Sequence, residues 1–492
     1  MTAPSSRRLA RRIIGVETEY GITCASTTGG VPPLDADHAA RELFEPVVRL
    51  GRSSNVFTRG GARLYLDVGS HPEFATAECD ELADLLAQDR AGEITMADLA
   101  EQANTRLEQR GVPGRIHLLK NNLDAEGTGF GCHENYLVRR RGDFWNDART
   151  LVPHLVTRQI LVGAGHILLG DPNDPNDPSD HGAPARYVFS QRADQMEDAV
   201  SSATTRSRPL INTRDEPHAD AELYRRMHVI VGDSNIAQGS TLLKVGAMDL
   251  LLDYLEEGGS LADLQLAFPM RAIRDTCHDL TGTVALELAD GRTITPVELQ
   301  AEHLVRVREH VRNLDLSDLQ HHVLDLWERG LEAVRSGRPQ DVATDLDWAA
   351  KHQLLARYAE RTGAELGEPR MARLALAYHD VSRSDGLRLK LERAGLLRRL
   401  IDEQACGTAV DTPPATTRAH LRGTAIGRAQ DLRRDLSADW VNLRLDDGRT
   451  RPVALRDPFN AVDERVDVLM AAMDAPDETL ATGMTTTPVP LM

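Results

Sequence analysis

At 492 residues, with 41% hydrophobic and 27% charged side chains, the chain has the composition of a globular protein too long for one ordinary core. Its formal charge of −18 excludes a sequence-independent grip on nucleic acid, which needs a basic surface, but leaves room for a local basic pocket. No apolar run reaches the roughly 18 residues that span a bilayer, and the arginine-rich opening "MTAPSSRRLARRIIG" lacks the apolar core of a signal peptide.

Residues 12–24, "RIIGVETEYGITC", read as a first strand in which Glu17 and Glu19, two apart, share a face. Residues 34–50 read as a helix. The stretch "GARLYLDVGSHPEFATAEC", 61–79, predicts one or two strands with a bend from Gly69 to Pro72, because proline cannot donate to a central ladder. In "MADLAEQANTRLEQRG" Leu99, Ala103 and Leu107 recur at helical spacing, with Gly111 as the stop. "RIHLLKNNLD" and "GCHENYLVRR" are strand candidates separated by a glycine-rich turn at 127–131. "GDPNDPNDPSDHGAP", 170–184, reads as an exposed loop, and its proline spacing does not match an EF-hand.

Residues 241–258 and 319–337 are amphipathic helices, and the Val323, Trp327, Leu331 and Val334 stripe of the second reads as core. From about 395 the texture changes. "DTPPATTRAHLRG" reads as a connection and a capped helix start, "LSADWVNLRLDDGRTRPVALRDPF" as a two-stranded hairpin around Asp446–Gly448, and 460–473 as a short helix. These readings divide the chain into a large domain at 11–411, a small C-terminal domain at 412–475 and a polar tail at 476–492. Five scattered cysteines, Cys24, Cys79, Cys132, Cys277 and Cys406, contain no CxxC pair and predict free thiols in a reducing compartment, the cytoplasm.

Three constellations carry chemistry. Period-two alternation puts Arg63, Tyr65 and Asp67 on one side of a strand and Leu64, Leu66 and Val68 on the other. With Glu17, Glu19 and Glu73 nearby in sequence order, the acids suit a hard cation such as Mg²⁺ and leave one carboxylate free as a base; a solvated strand face is the bland alternative. Residues 201–235 concentrate Arg206, Arg208, Arg214, Arg225 and Arg226 with hydroxyls and with His218 and His228, a candidate anion pocket without a P-loop. In "GCHENYL" His133 and Asn135 face one way and Glu134 the other, and Cys132 points away from His133, against a catalytic Cys–His pair.

Together "GVETEYG", "GARLYLDVGSHPEFATAECD", "GCHENYL", "SSATTRSRPLINTRDEPHADA", "HVIVGDSN" and "DWVNLRLDD", in this order from about 11 to 470, resemble the family of ligases that attach the prokaryotic ubiquitin-like protein, Pup, to substrate lysines. The resemblance implies an α+β fold like that of carboxylate–amine ligases related to glutamine synthetase: a curved antiparallel sheet backed by helices, plus a small C-terminal domain. It implies that ATP phosphorylates the side-chain carboxylate of Pup's C-terminal glutamate, and that a lysine amine of a protein substrate then forms the isopeptide bond, marking that protein for the proteasome or other fates. It further implies ATP and Mg²⁺ as cofactors, with Glu17, Tyr65 and Glu73 as Mg²⁺ ligands, Asp67 as catalytic base, and Arg63, Thr76 and Trp440 as ATP contacts. No nucleic acid or membrane partner is implied. The sister enzyme that deamidates Pup and removes it from conjugates carries a long insertion before its "GARLY"-like segment; only 36 residues separate Cys24 from Gly61 here. A small-molecule carboxylate–amine ligase is a more distant alternative, and an inactive binding module would be expected to lack Asp67 or an acidic ligand.

Overall fold

The computed structural model describes residues 8–67, 69–124, 127–142, 144–169, 185–203, 208–383 and 386–474. The expected loop at 170–184, the tail at 476–492, Val68 and Arg206 lie outside these described residues. In chain order the strands are β1 (Ile14–Glu19), β2 (Gly21–Ser26), β3 (Asn55–Phe57), β4 (Arg63–Leu66), β5 (Pro72–Ala75) and β6 (Gly114–Leu119). They continue with β7 (Cys132–Arg139), β8 (His166–Leu168), β9 (Arg186–Val188), β10 (Asp198–Ser201), β11 (Pro209–Asn212) and β12 (Tyr224–Val229). Eight of them form one sheet in the order β10-β11-β12-β7-β1-β5-β4-β3, antiparallel throughout except for the β10–β11 pair. The fold is α+β.

One face of this sheet is apolar. Ile14, Val16, Tyr136, Val138, Met227, Val229 and Ile211 belong to the largest core, packed with helices Phe144–Thr157, Gln238–Glu256 and Asp318–Arg335. Leu64 and Phe74 continue the face into a second core with Leu43, Phe44, Met96 and Leu99 of helices Ala36–Gly51 and Leu82–Gln109. The approach is tight at Gly92, where a Cβ would stand 2.6 Å from the Phe74 ring. The expected stripe Val323, Trp327, Leu331 and Val334 is buried in the main core.

Several elements differ from the sequence reading. The strand expected over 12–24 is two strands: Tyr20 is buried, its N–H donates to Pro72 O at 2.8 Å, and the chain leaves the main sheet there so that β2 pairs with β6. The helix expected around 96–111 starts at Leu82, because its first turns bury Asp89, Arg90 and Glu93, which erase the apolar stripe. The C-terminal hairpin has three strands. After a small β13 (Leu286–Glu287) and β14 (Thr293–Ile294) pair, β15 (Leu436–Ala438), β16 (Asn442–Leu445) and β17 (Val453–Ala454) form an antiparallel sheet. Helices Arg418–Asp431 and Glu464–Met473 close it over Leu421, Ala425, Leu443, Leu445, Val466 and Leu469. The helix at 418 is capped by Thr417, whose side chain accepts from Ala419 N.

Candidate active site

Cross-strand partners share a face of a sheet, and here the face opposite the cores is polar. Glu17 of β1 stands between Ala75 of β5 and His133 of β7, and Glu19 stands beside Glu73. Ala75 and Glu73 in turn oppose Arg63 and Tyr65 of β4, while His228 of β12 opposes Asn135 of β7. Five strands therefore deliver Glu17, Glu19, Arg63, Tyr65, Glu73, His133, Asn135 and His228 to one side. Alternation within each strand was legible in the sequence; the neighbourhood of the strands was not.

The acids are not equivalent. Glu17 accepts from Asn135 Nδ2 at 3.0 Å, lies 3.2 Å from His133 Nδ1, and has Arg226 at 3.9 Å and His228 at 4.0 Å. Burial pushes its carboxyl up, but the His133 hydrogen bond and the charges of His228, His133 and Arg226 outweigh burial and hold it well below its ordinary range. For Glu73 burial and the charges of Glu17 and Glu19 act together and push it well above that range, against a hydrogen bond from the Tyr65 hydroxyl. Burial, with Glu17 and Glu73, pushes the Tyr65 phenol up as well, so it keeps its proton. Burial pushes His228 down to about 3, against the pull of Glu17.

Glu19, Asp67 and Glu73 bring carboxylate oxygens within 4.8 Å of one another, and a Glu17 oxygen and ring nitrogens of His133 and His228 are grouped as closely. Asp67 follows β4 and is exposed; its N–H donates to His71 O at 2.9 Å, and His71 Nδ1 lies 3.2 Å from Glu19 Oε2. Crowded oxygens with one abnormally basic carboxylate are a donor set that a hard divalent cation fits, since its charge would relieve the repulsion.

Next to these acids opens a cleft with an empty volume of about 580 Å³, lined among others by Glu17, Thr76, Glu78, His218, Arg226 and Trp440. The Thr76 hydroxyl accepts from Val16 N at 3.0 Å. Trp440 lies in the turn between β15 and β16, with its ring edge-on to Phe57 at 4.9 Å and 6.3 Å from the His218 ring. His218 holds the left-handed φ of 49°, a strained backbone for a non-glycine residue. Of the candidate residues, Glu17, Thr76 and Trp440 line the cleft, whereas Arg63, Tyr65, Asp67 and Glu73 stand beyond its lining on the β4–β5 side. The Arg63 guanidinium lies 4.2 Å over the Tyr65 ring and donates to Asn55 Oδ1 at 2.9 Å.

Among the described residues, the arginine-rich segment does not form one pocket. Arg226 lines the cleft, but Arg225 points to the other face, 3.9 Å over the Phe144 ring. Arg208 donates to Gln195 Oε1 at 3.0 Å, and Arg214 lies 3.4 Å from Glu216. Alternation along β12 separates neighbours that look like a cluster in the sequence. Sequence reasoning missed His71, which reads as a turn residue, and the role of Gly131. A Cβ on Gly131 would come within 2.6 Å of both Glu19 Oε1 and His133 Nε2, so the glycine opening "GCHENYL" keeps space beside the acids.

Over most of its length the chain is similar to known proteins. The family model for Pup-ligase protein matches residues 12–444. The Pup–protein ligase of Sanguibacter keddieii is 54% identical over 464 residues, 94% of this chain and 99% of that one. The Pup–protein ligase of Xylanimonas cellulosilytica is 54% identical over 468 residues, 94% of this chain and 100% of that one. The solved complex between Pup and its ligase PafA superposes with a TM-score of 0.87 at 39% identity, covering 96% of this chain and 93% of that one. The same kind of ligase in complex with ADP gives a TM-score of 0.80 at 40% identity, with 90% and 95% covered.

Proposed function

Because this chain belongs to the Pup-ligase protein family, we propose that the polar face of its sheet is where ATP activates the C-terminal glutamate of Pup for attack by a lysine. The chain is an ATP-dependent ligase, and its partners are Pup and lysine-bearing proteins. In the reaction, the terminal phosphoryl group of ATP passes to the glutamate side-chain carboxylate and ADP is released. The lysine nitrogen then bonds to the acyl carbon, phosphate leaves with the carboxylate oxygen, and one proton leaves the amine.

Each named residue has work suited to its place. Asp67 takes the proton from the lysine, which with a reference pKa of about 10.4 is otherwise no nucleophile at neutral pH. Glu17, Tyr65 and Glu73 would hold Mg²⁺, which supplies neutralisation of the charge that develops on phosphate oxygens. The protonated Tyr65 hydroxyl also orients Glu73 through its hydrogen bond. Arg63 binds phosphate oxygens, Thr76 contacts the nucleotide at the cleft wall, and Trp440, carried by the small C-terminal domain at 412–475, covers its base or sugar.

The supporting observation is Glu73: a buried carboxylate pressed by Glu17, Glu19 and Asp67, beside a cleft that Glu17, Thr76 and Trp440 line. Purified chain, ATP, Mg²⁺, Pup ending in glutamate and a lysine-bearing target should yield a conjugate of higher mass. Net cleavage of preformed conjugates, without joining, would overturn the reading in favour of the sister reaction.

We place the enzyme in the cytoplasm. All five cysteines are buried and free, and among the described residues no helix is long and apolar enough to cross a membrane. Thiol labelling of enzyme denatured directly from lysed cells, without reductant, should modify all five; a protected pair would count against a reducing compartment.

A further inference from the structure

Trp440 reaches the cleft from the far end of the chain, and a buried ionic strut joins its surroundings to the main sheet. Glu78, shortly after β5, is only 6% exposed and takes two guanidiniums from helix Arg418–Asp431. Arg418 Nε donates to Glu78 Oε1 at 2.7 Å, and its Nη1 donates to Leu455 O at 2.9 Å. Arg422, 0% exposed, donates to both Glu78 oxygens, to Gly61 O at 2.9 Å and to Trp440 O at 3.2 Å. The Arg422 guanidinium also stands over two rings, 4.8 Å from the Phe57 centroid and 5.1 Å from that of Trp440. Those rings meet each other edge to face at 4.9 Å.

One cation therefore holds Trp440 by its carbonyl and its ring, and ties both to β3, to the turn before β4 and to the end of β5. A planar fork with five donors can do this; an ammonium can keep the charge opposite Glu78 but cannot serve the two carbonyls and the two rings together. Arg422 is not among the residues lining the cleft, whereas Trp440 is. A buried Arg–Glu–Arg arrangement costs desolvation and is weak evidence for stability as such. Its geometry here is spent on one aromatic side chain.

We propose that Arg422 is a positioning residue that, with Phe57, fixes the Trp440 indole against the cleft and so sets nucleotide affinity without touching the nucleotide. The inference rests on the nucleotide role given to Trp440 above. Pre-organising the indole removes its ordering cost from ATP binding. Loosening it should weaken ATP while sparing Pup and the chemical step.

The test is a kinetic cycle on the full-length enzyme with Arg422→Lys, Trp440→Ala and the double variant. Arg422→Lys should raise the KM for ATP about tenfold and leave kcat and the KM for Pup within about twofold. In the Trp440→Ala background the same substitution should add almost nothing, because interacting sites are not additive. An unchanged KM for ATP in Arg422→Lys, or an equal rise in both backgrounds, overturns the positioning role alone. An unchanged KM for ATP in Trp440→Ala overturns the nucleotide role of Trp440 and this inference with it. Should Arg422→Lys fail to fold, Phe57→Leu stands in its place: a rise of about threefold, absent in the Trp440→Ala background, is expected, and no rise overturns the proposal.

Discussion

Two groups of acids, each built round a buried glutamate, are balanced in opposite ways. Beneath helix Leu82–Gln109, Lys120 Nζ donates to Asp89 at 2.8 and 2.7 Å and to Glu93 at 2.9 Å. Arg90 binds Glu93 and reaches Glu392 at 3.0 Å, and Arg388 and Arg399 reach Glu392 at 2.9 and 2.7 Å. Burial pushes Glu93 up, but Arg90, Lys120 and Arg388 together bring it down from 4.5 to about 2. On the polar face of the sheet, no lysine or arginine among the described residues pairs with Glu73, and its carboxyl is pushed the other way. Charge that has been neutralised joins helices together. Charge left in excess stores a demand for a cation, and that demand marks the site.

Substitutions can break this contrast. The largest effect belongs to the exposed member of the unbalanced group: Asp67→Asn should cut conjugation about 10²- to 10⁴-fold, with ATP binding and thermal melting unchanged. In the balanced group, Glu93→Ala should cost about 3–5 kcal/mol in urea unfolding, since it strands buried cations. Glu73→Gln should do the reverse without metal, raising the urea midpoint at neutral pH while abolishing conjugation.

The pH dependence sharpens the contrast. Glu73 has a raised folded pKa, so its contribution to stability is complete below the ordinary carboxylate range and is lost as pH rises through the folded value. Glu93 has a depressed one, so its contribution is present above about 4.5 and is lost as pH falls toward about 2. Urea midpoints from acid to neutral pH should therefore show the advantage of Glu73→Gln growing with pH, and the deficit of Glu93→Gln shrinking on acidification. Mg²⁺ alone should raise the melting temperature of the parent by a few degrees and that of Glu73→Gln by less. The smallest effect is expected at Gly131: its alanine variant should stay folded and lose about tenfold in kcat, as the new methyl crowds Glu19 and His133.

What could be read without a structure was local. Alternation puts Glu17 and Glu19 on one face of their strand, sets Leu64 and Leu66 against Arg63 and Tyr65 on theirs, and splits His133 from Glu134. Which strands lie side by side depends on contacts far apart in sequence, and no period records them. Helix Phe144–Thr157 escaped notice because residues 150–157 are all buried, polar Thr150, His154 and Thr157 included, which blurs the stripe of Phe144, Ala148, Leu151 and Leu155. The first turns of the helix beginning at Leu82 escaped because their buried charges imitate a surface. Arg422 looks like any helix cation until Glu78, Gly61 and Trp440 close around it.

The cleft draws one wall from residue 17 and another from residue 440. A growing chain therefore completes its main sheet, which ends at Val229, long before it supplies the residue of the second wall. With Trp440 in the role proposed above, a chain halted between those two points would carry the acids yet hold ATP more weakly than the finished enzyme.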